Sequence, residues 1–195
     1  MSKYVALEGV DGSGKSTVGQ ALLEALDRRG IEAILVREPG GTAVGEAVRS
    51  LLLDSETLDD WAEAFLFAAQ RAELARDVIQ PALDSGTWVI SDRSYYSSIA
   101  YQGRARGLGE DNVRTINETG LDGVVPDFVF VLDVDPALAL DRQDSPDRIG
   151  KEGIEFQAAV RDAYLELAKN EDKVTLLDGD LTVEEMISRI IEVIS

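Results

Sequence analysis

The chain has 195 residues, 45% of them hydrophobic. This length allows one α/β domain with a full core, and no apolar run reaches the roughly 18 residues of a membrane span. Cysteine and histidine are both absent, which excludes disulfides, thiolate metal sites and an imidazole base or ligand. The net charge of −18 disfavours nucleic acid as a partner. This charge fits either adaptation to high salt or an ordinary acidic protein.

The first element is a predicted strand at residues 4–7, with no basic and apolar leader before it. We therefore expect no signal peptide and a cytoplasmic protein. Residues 9–17 then read Gly-Val-Asp-Gly-Ser-Gly-Lys-Ser-Thr, and apolar side chains at helical spacing follow: Val18, Leu22, Leu23 and Leu26. Strand, glycine loop and helix together predict a phosphate-binding loop rather than a glycine-rich turn without a ligand. In such a loop Lys15 reaches the β- and γ-phosphates, and the Ser16 hydroxyl binds Mg²⁺.

Four more apolar runs predict strands at residues 33–36, 88–91, 128–132 and 174–177. Helical patterns lie between them, the longest around residues 61–75 and 156–168. The last helix carries a capping box, with Thr182 as N-cap and Glu185 three residues later. This alternation predicts an α/β fold with a five-stranded parallel sheet and helices on both faces. Ligands of such sheets bind at the carboxyl ends of the strands.

Polar clusters follow the first four predicted strands. After the phosphate-binding loop come Arg-Glu-Pro-Gly-Gly-Thr at 37–42, Asp-Arg-Ser at 92–94 and Asp-Val-Asp-Pro at 133–136. Each alone could be a turn or a cap, but four clusters at four strand ends predict one site. Asp92 is placed to hold Mg²⁺ or its water shell opposite Ser16, and Arg93 can clamp a phosphate in bidentate fashion.

Two further segments fit such a site. Phe67 and Arg71 lie four residues apart on one helix face, where they could hold a flat heterocycle, or could simply be a core residue and a solvated charge. Residues 142–151 read Arg-Gln-Asp-Ser-Pro-Asp-Arg-Ile-Gly-Lys. Their three cations suit a lid that closes over the reacting groups, and the alternative is a surface loop.

Together these segments resemble the thymidylate kinase family of the P-loop nucleoside-monophosphate kinases, over nearly the whole chain. The most specific marks are Arg-Glu-Pro-Gly-Gly-Thr at 37–42 and Ala-Tyr-Gln-Gly at 100–103. The resemblance implies a P-loop three-layer fold and a single domain over residues 1–195, with a small lid at about 142–152. It also implies ATP and dTMP as substrates, dTDP as product, Mg²⁺ as cofactor, a homodimer, and neither nucleic-acid nor membrane partners.

The resemblance further implies roles for individual residues. Phe67 would stack on thymine, Arg71 would bind its carbonyl edge and Tyr101 would favour deoxyribose. The implied catalytic residues are Lys15, Arg93, Asp11 and Arg148. The implied ATP-binding residues are Gly9, Val10, Asp11, Gly12, Ser13, Gly14, Lys15, Ser16, Thr17 and Arg142. The implied substrate-binding residues are Arg37, Glu38, Pro39, Phe67, Arg71, Arg93, Ser98, Tyr101 and Gln102. The implied metal ligands are Ser16 and Asp92. Some family members carry an arginine where this chain has Gly12.

The missing histidine fits this chemistry, because the acceptor is a phosphate monoester that is already an anion and needs no general base. Two alternatives stay open at this point. A deoxynucleoside kinase would need a carboxylate base, for which Glu38 is placed, and the Asp-Arg-Ser segment also resembles those enzymes. A nucleotide-binding switch would need no catalytic acceptor site, but the chain lacks the Asn-Lys-x-Asp guanine reader of GTP switches.

Overall fold

The computed structural model describes residues 2–142 and 147–195. Five strands form one sheet: β1 (Tyr4–Glu8), β2 (Ala33–Arg37), β3 (Trp88–Asp92), β4 (Phe128–Asp133) and β5 (Val174–Asp178). The strand order is β2-β3-β1-β4-β5, and every neighbouring pair is parallel. The predicted five-stranded parallel sheet is confirmed.

Each strand extends one residue beyond its predicted end, and that added residue is charged in every case. The added residues are Glu8, Arg37, Asp92, Asp133 and Asp178. A strand predicted from apolar residues ends before a charged residue, although the backbone of that residue still pairs with the neighbouring strand. Since the strands are parallel, these five charged side chains emerge at one edge of the sheet, where ligands of α/β proteins bind.

Helices connect the strands. The α-helices are α1 (Lys15–Asp27), α2 (Ala43–Asp54), α3 (Asp60–Leu74), α4 (Gln80–Asp84), α5 (Tyr95–Ser98), α6 (Glu110–Leu121), α7 (Pro136–Asp141), α8 (Ile154–Asn170) and α9 (Val183–Ile194). A π-helical segment, Ala75–Ile79, continues α3, and a second, Ile99–Ala105, continues α5. The predicted capping box of α9 is present, with hydrogen bonds in both directions between Thr182 and Glu185. In the described ranges, no helix combines the length and the apolar character needed to cross a membrane.

The core lies on both faces of the sheet. On one face, β1 and β4 side chains such as Ala6 and Val129 pack against α3, α5 and α8, where Phe67 and Val160 are buried. On the other face, Leu7 packs with apolar residues of α1 and α9. This is the predicted three-layer α/β fold, and its charged edge is left open between the helices.

Candidate active site

A cavity of about 410 Å³ lies at the carboxyl edge of the sheet. Three of the four predicted polar clusters line it, from β1, β2 and β3. The predicted site residues along its wall are Asp11, Gly12, Gly14, Lys15, Ser16, Thr17, Arg37, Glu38, Pro39, Phe67, Arg71, Asp92, Arg93, Ser98, Tyr101, Gln102 and Arg142. Residues as far apart in the chain as Asp11 and Arg142 are thus brought to one cavity.

The fourth cluster, after β4, is not among the described residues that line this cavity, and its place in the site stays a prediction. The Asp133 carboxylate accepts hydrogen bonds from Arg161, at 2.5 Å from Nε and 3.0 Å from Nη2. Asp135 is the N-cap of α7, where its Oδ1 accepts from the Ala137 amide at 2.9 Å. Both carboxylates therefore have structural tasks, since an N-cap satisfies amides that a helix leaves open.

The phosphate-binding loop leads directly into α1. Gly14 is the N-cap, with a φ of 94° that favours glycine, and no side chain from the described residues caps the helix. The first N–H groups of α1 therefore suit an anion. Lys15 folds back over the loop, and its Nζ donates to the carbonyls of Val10 at 2.9 Å and Gly9 at 3.2 Å. Burial, aided by repulsion from Arg93, lowers the pKa of Lys15 to about 8.

Gly12 has no room for a side chain. Its φ is 82°, and a Cβ built there would lie 2.1 Å from the backbone oxygen of Ala139 in α7. The arginine that some thymidylate kinases carry at this position therefore cannot be accommodated while α7 keeps its place. The position of α7 explains why this loop has a glycine.

The two predicted metal ligands lie side by side. Ser16 Oγ donates a 2.6 Å hydrogen bond to Asp92 Oδ2, and both residues line the cavity. In the described part of the chain, no group of three or more carboxylates comes together. One hydroxyl and one carboxylate suit Mg²⁺, which keeps several waters and takes its remaining ligands from phosphates. The residues present therefore fit the predicted ion.

Arg93 lines the cavity and contacts residues of two other segments of its wall. Its φ of 77° lies in the left-handed region, which is uncommon for a non-glycine residue and is typical of functional sites. Its guanidinium donates to Asp11 and, at 3.0 Å, to Ser97 Oγ, and lies 5.1 Å from the Tyr101 ring centroid. Burial alone would raise the pKa of Asp11, but Arg93 and Lys15 hold it below the usual value. A guanidinium fixed in this way can present its remaining donors to a phosphate.

Arg71 belongs to the same cavity wall and is buried, with 2% of its surface exposed. Its Nε donates to Glu38, and its Nη1 donates to Ser98 Oγ at 3.0 Å and to the Asn117 side-chain oxygen. Burial raises the pKa of Glu38 in spite of this cation. Phe67, one turn earlier in α3, also lines the cavity, so the predicted aromatic and guanidinium pair faces the same space.

Arg148 has partners that differ from the predicted ones. Its Nη2 donates to Glu63 at 2.6 Å and its Nε donates to the Leu52 carbonyl at 3.0 Å. It is not among the residues of the described chain that line the cavity, whereas its neighbours Asp147 and Ile149 are. Its contact with a phosphate stays a prediction. Residues 143–146 of the predicted lid lie outside the described residues.

Sequence reasoning missed Arg49, Leu53 and Ser97 of the cavity wall, and it included Asp147 and Ile149 only as part of the predicted lid. It also missed the buried Glu8, whose carboxylate accepts hydrogen bonds from Ser97 Oγ at 2.6 Å and Tyr164 OH at 2.7 Å. Ser97 in turn binds Arg93, so Glu8 supports the Arg93 guanidinium indirectly. A charged residue directly before the glycine loop was the only available signal for Glu8.

The comparisons with known proteins agree with this geometry. A parallel α/β sheet with a phosphate-binding loop, a serine and aspartate pair and a buried arginine on the wall of one cavity is the arrangement of a P-loop nucleotide kinase. Residues 7–190 match the family model described as thymidylate kinase. The chain is 44% identical over 192 residues to a thymidylate kinase of Fervidobacterium nodosum, with 97% of each chain covered. It is 42% identical to one of Finegoldia magna, with 98% of this chain and 97% of the relative covered. A relative from Halothermothrix orenii, also named thymidylate kinase, is 43% identical over 190 residues, with 94% and 91% covered.

This chain belongs to the thymidylate kinase family. The predicted family and the predicted class of enzyme, a phosphotransferase, are thereby confirmed.

Proposed function

We propose that this protein transfers the γ-phosphoryl group of ATP to dTMP and releases dTDP and ADP. The observation that carries the proposal is one cavity with two different ends. Lys15 and the start of α1 suit the phosphates of a nucleotide at one end, and Phe67 with Arg71 suits a base at the other. Arg93 lies between them, where the two phosphate groups would meet. The family to which the chain belongs supports dTMP as the acceptor.

Several residues are proposed to bind the acceptor. Phe67 would stack on the thymine ring, and the Nη2 edge of Arg71 would donate to its carbonyl, since the hydrogen bonds with described residues use Nε and Nη1. Tyr101 would lie against the sugar, held in place by its contact with Arg93. Further acceptor contacts are proposed for Arg37, Glu38, Pro39, Ser98 and Gln102. Arg142, at the end of α7, is proposed to lie against adenine.

The reaction needs alignment and charge neutralisation rather than a base. A phosphate monoester is already an anion at neutral pH, so its oxygen can attack without losing a proton. Lys15 and Arg93 would screen the repulsion between the two anions, and Asp11 would orient Arg93 through their ion pair. Ser16 and Asp92 are the residues proposed to hold Mg²⁺, which neutralises phosphate charge when it is bound.

The alternative of a deoxynucleoside kinase requires a carboxylate that can accept a hydroxyl proton. Glu38 is the candidate: its Oε2 accepts from Arg71 and from the Gln70 side-chain amide at 3.3 Å, while its Oε1 has no hydrogen-bond partner among the described residues and is the atom that such a base would use. A coupled ADP-release assay with nucleoside monophosphates and free nucleosides tests the choice. We expect dTMP to be the best acceptor, and a free nucleoside as best acceptor would contradict the proposal.

A homodimer is proposed from the family resemblance and from an exposed apolar surface. Leu51 on α2 and Phe65 on α3 are 54% and 55% exposed, and Val44 and Trp61 are exposed on the same two helices. Helices α2 and α3 pack together, so these side chains belong to neighbouring parts of the surface. Sedimentation equilibrium of the protein and of Phe65→Glu tests this assignment. We expect a dimer for the former and a monomer for the latter.

A further inference from the structure

A buried carboxylate away from the predicted contacts gathers residues from three parts of the chain. Glu63 lies in α3 and has no exposed surface. Its Oε1 accepts from the Gln102 side-chain amide at 2.7 Å, and its Oε2 accepts from Arg148 at 2.6 Å and from Arg106 at 3.3 Å. A carboxylate without solvent is stable only when it is paired in this way.

Of the residues that bind Glu63, some line the cavity and others lie outside its wall. Gln102 lines the cavity from the π-helical segment after α5. Arg148 lies outside the wall, but the residues on either side of it, Asp147 and Ile149, line the cavity. Glu63 thus connects two parts of the wall that belong to separate elements.

Additional bonds hold residues 147–152 in this place. Arg148 Nε donates to the Leu52 carbonyl of α2 at 3.0 Å, and Arg106 forms a 2.6 Å ion pair with Glu152. Asp147 Oδ1 accepts from the amides of Ile149 at 3.0 Å and Gly150 at 2.9 Å. The segment is therefore held at both ends. Arg148 connects one end to Glu63 directly, and Glu152 connects the other end to Glu63 through Arg106.

We propose that Glu63 is a positioning residue that fixes Gln102 and residues 147–152 relative to each other, with Arg148 as part of this anchor. Arg148 then acts on the cavity through Glu63 and Leu52 rather than by touching the transferred phosphate. The inference rests on the proposed function, because Gln102 is proposed to bind the acceptor. It gives Arg148 a different task from the one that the family resemblance implied.

A double-mutant cycle with Glu63→Gln and Arg148→Met tests the anchor. Each single change should lower kcat/KM for dTMP by about tenfold, and the double variant should be no worse than the poorer single one, because both remove the same interaction. If Arg148 instead touches the phosphate, the two effects multiply, and the proposal is wrong. Glu73→Gln, on the same helix but paired with the exposed Arg76, is the matched control and should keep its activity.

Hydrogen exchange without nucleotide gives a second test that needs no activity. Both single variants should speed the exchange of amides in residues 147–152, since the anchor exists before any ligand binds. Unchanged exchange in Arg148→Met would overturn the anchor, and this variant alone decides if Glu63→Gln does not fold. A wild-type protein without activity on dTMP would contradict the proposed function, while the exchange experiment would still test the anchor.

Discussion

The two ends of the cavity are built in different ways. At the phosphate end, Lys15 donates to Gly9, Val10 and Ser13, none more than six residues away in the chain. At the base end, Arg71 is held by three side chains that lie 27 to 46 residues away. The bonds of Lys15 therefore lie within a local sequence motif, whereas those of Arg71 exist only once the sheet and α3, α5 and α6 have packed together.

This difference predicts different consequences of mutation. A residue of the local loop can lose its function while the fold persists, since few distant contacts depend on it. A residue of the base end is bonded to buried partners, so its loss should affect both recognition and stability. Three experiments test or sharpen this contrast, and a fourth compares the cavity with the rest of the surface.

The largest effect is expected for Lys15→Ala. Loss of a cation that screens the phosphates should lower kcat by roughly 10²-fold or more, with little change in melting temperature. Steady-state kinetics and thermal unfolding measure the two quantities. Lys169→Ala, an exposed lysine of α8, is the control. Near wild-type turnover in folded Lys15→Ala would remove Lys15 from the site.

Arg71→Ala should act on one substrate. We expect the KM for dTMP to rise by roughly 10- to 100-fold, because a charged hydrogen bond to the base is lost, with little change in the KM for ATP. The variant should also be less stable than wild type, since Glu38 is left buried without its cation.

The control for this variant is Arg76→Ala, five residues further along and 70% exposed. Both KM values are measured on the same preparation, so a partly unfolded fraction cancels from their ratio. Equal changes in the two KM values would mean that Arg71 serves the core alone.

A smaller, pH-dependent effect should separate the two ends again. With a pKa of about 8, Lys15 of the free protein loses its proton above that pH, while bound phosphates favour the protonated amine. Affinity for ATP should therefore fall above pH 8, approaching about tenfold per pH unit. Calorimetric titration between about pH 7 and about pH 9.5 measures this fall.

Lys15→Arg should give a flat profile over this range, because a guanidinium keeps its proton. A wild-type affinity that is also flat would contradict the lowered pKa of Lys15.

The smallest effect concerns the whole surface and not the cavity. With a net charge of −18, repulsion between carboxylates should weaken as salt is added. The melting temperature should rise by roughly 3 °C or more between about 0.1 M and about 2 M KCl. Sucrose serves as the control for stabilisation by solvent exclusion, and KCl should raise the melting temperature more than sucrose does. A melting temperature that does not change with KCl would mean that the acidic residues serve solubility alone.

The sequence was sufficient for the sheet and for the phosphate end, because apolar runs and a local motif determine both. It missed the last residue of every strand, since a charge such as Asp92 ends the apolar pattern although the strand continues. It placed Phe67 and Arg71 on one helix face but could not supply Asn117, whose contact with Arg71 depends on how α3 and α6 pack.

The same reason explains two contacts that the sequence did not predict. Asp133 is a carboxylate that follows a predicted strand, as site residues do. Only the position of α8 reveals that Arg161 binds it. Glu63 reads as an ordinary solvated charge of α3, and its burial depends on residues 102, 106 and 148 meeting in space. Contacts between separate elements have no sequence spacing to recognise.

The close approach of Gly12 to Ala139 has an evolutionary consequence. Replacing this glycine by arginine in one step would drive a side chain into a backbone oxygen, so a lineage with α7 in this place cannot reach the arginine-bearing loop by a single substitution. As long as α7 stays in this place, position 12 is closed to every residue that has a Cβ, and arginine is only one case of this exclusion.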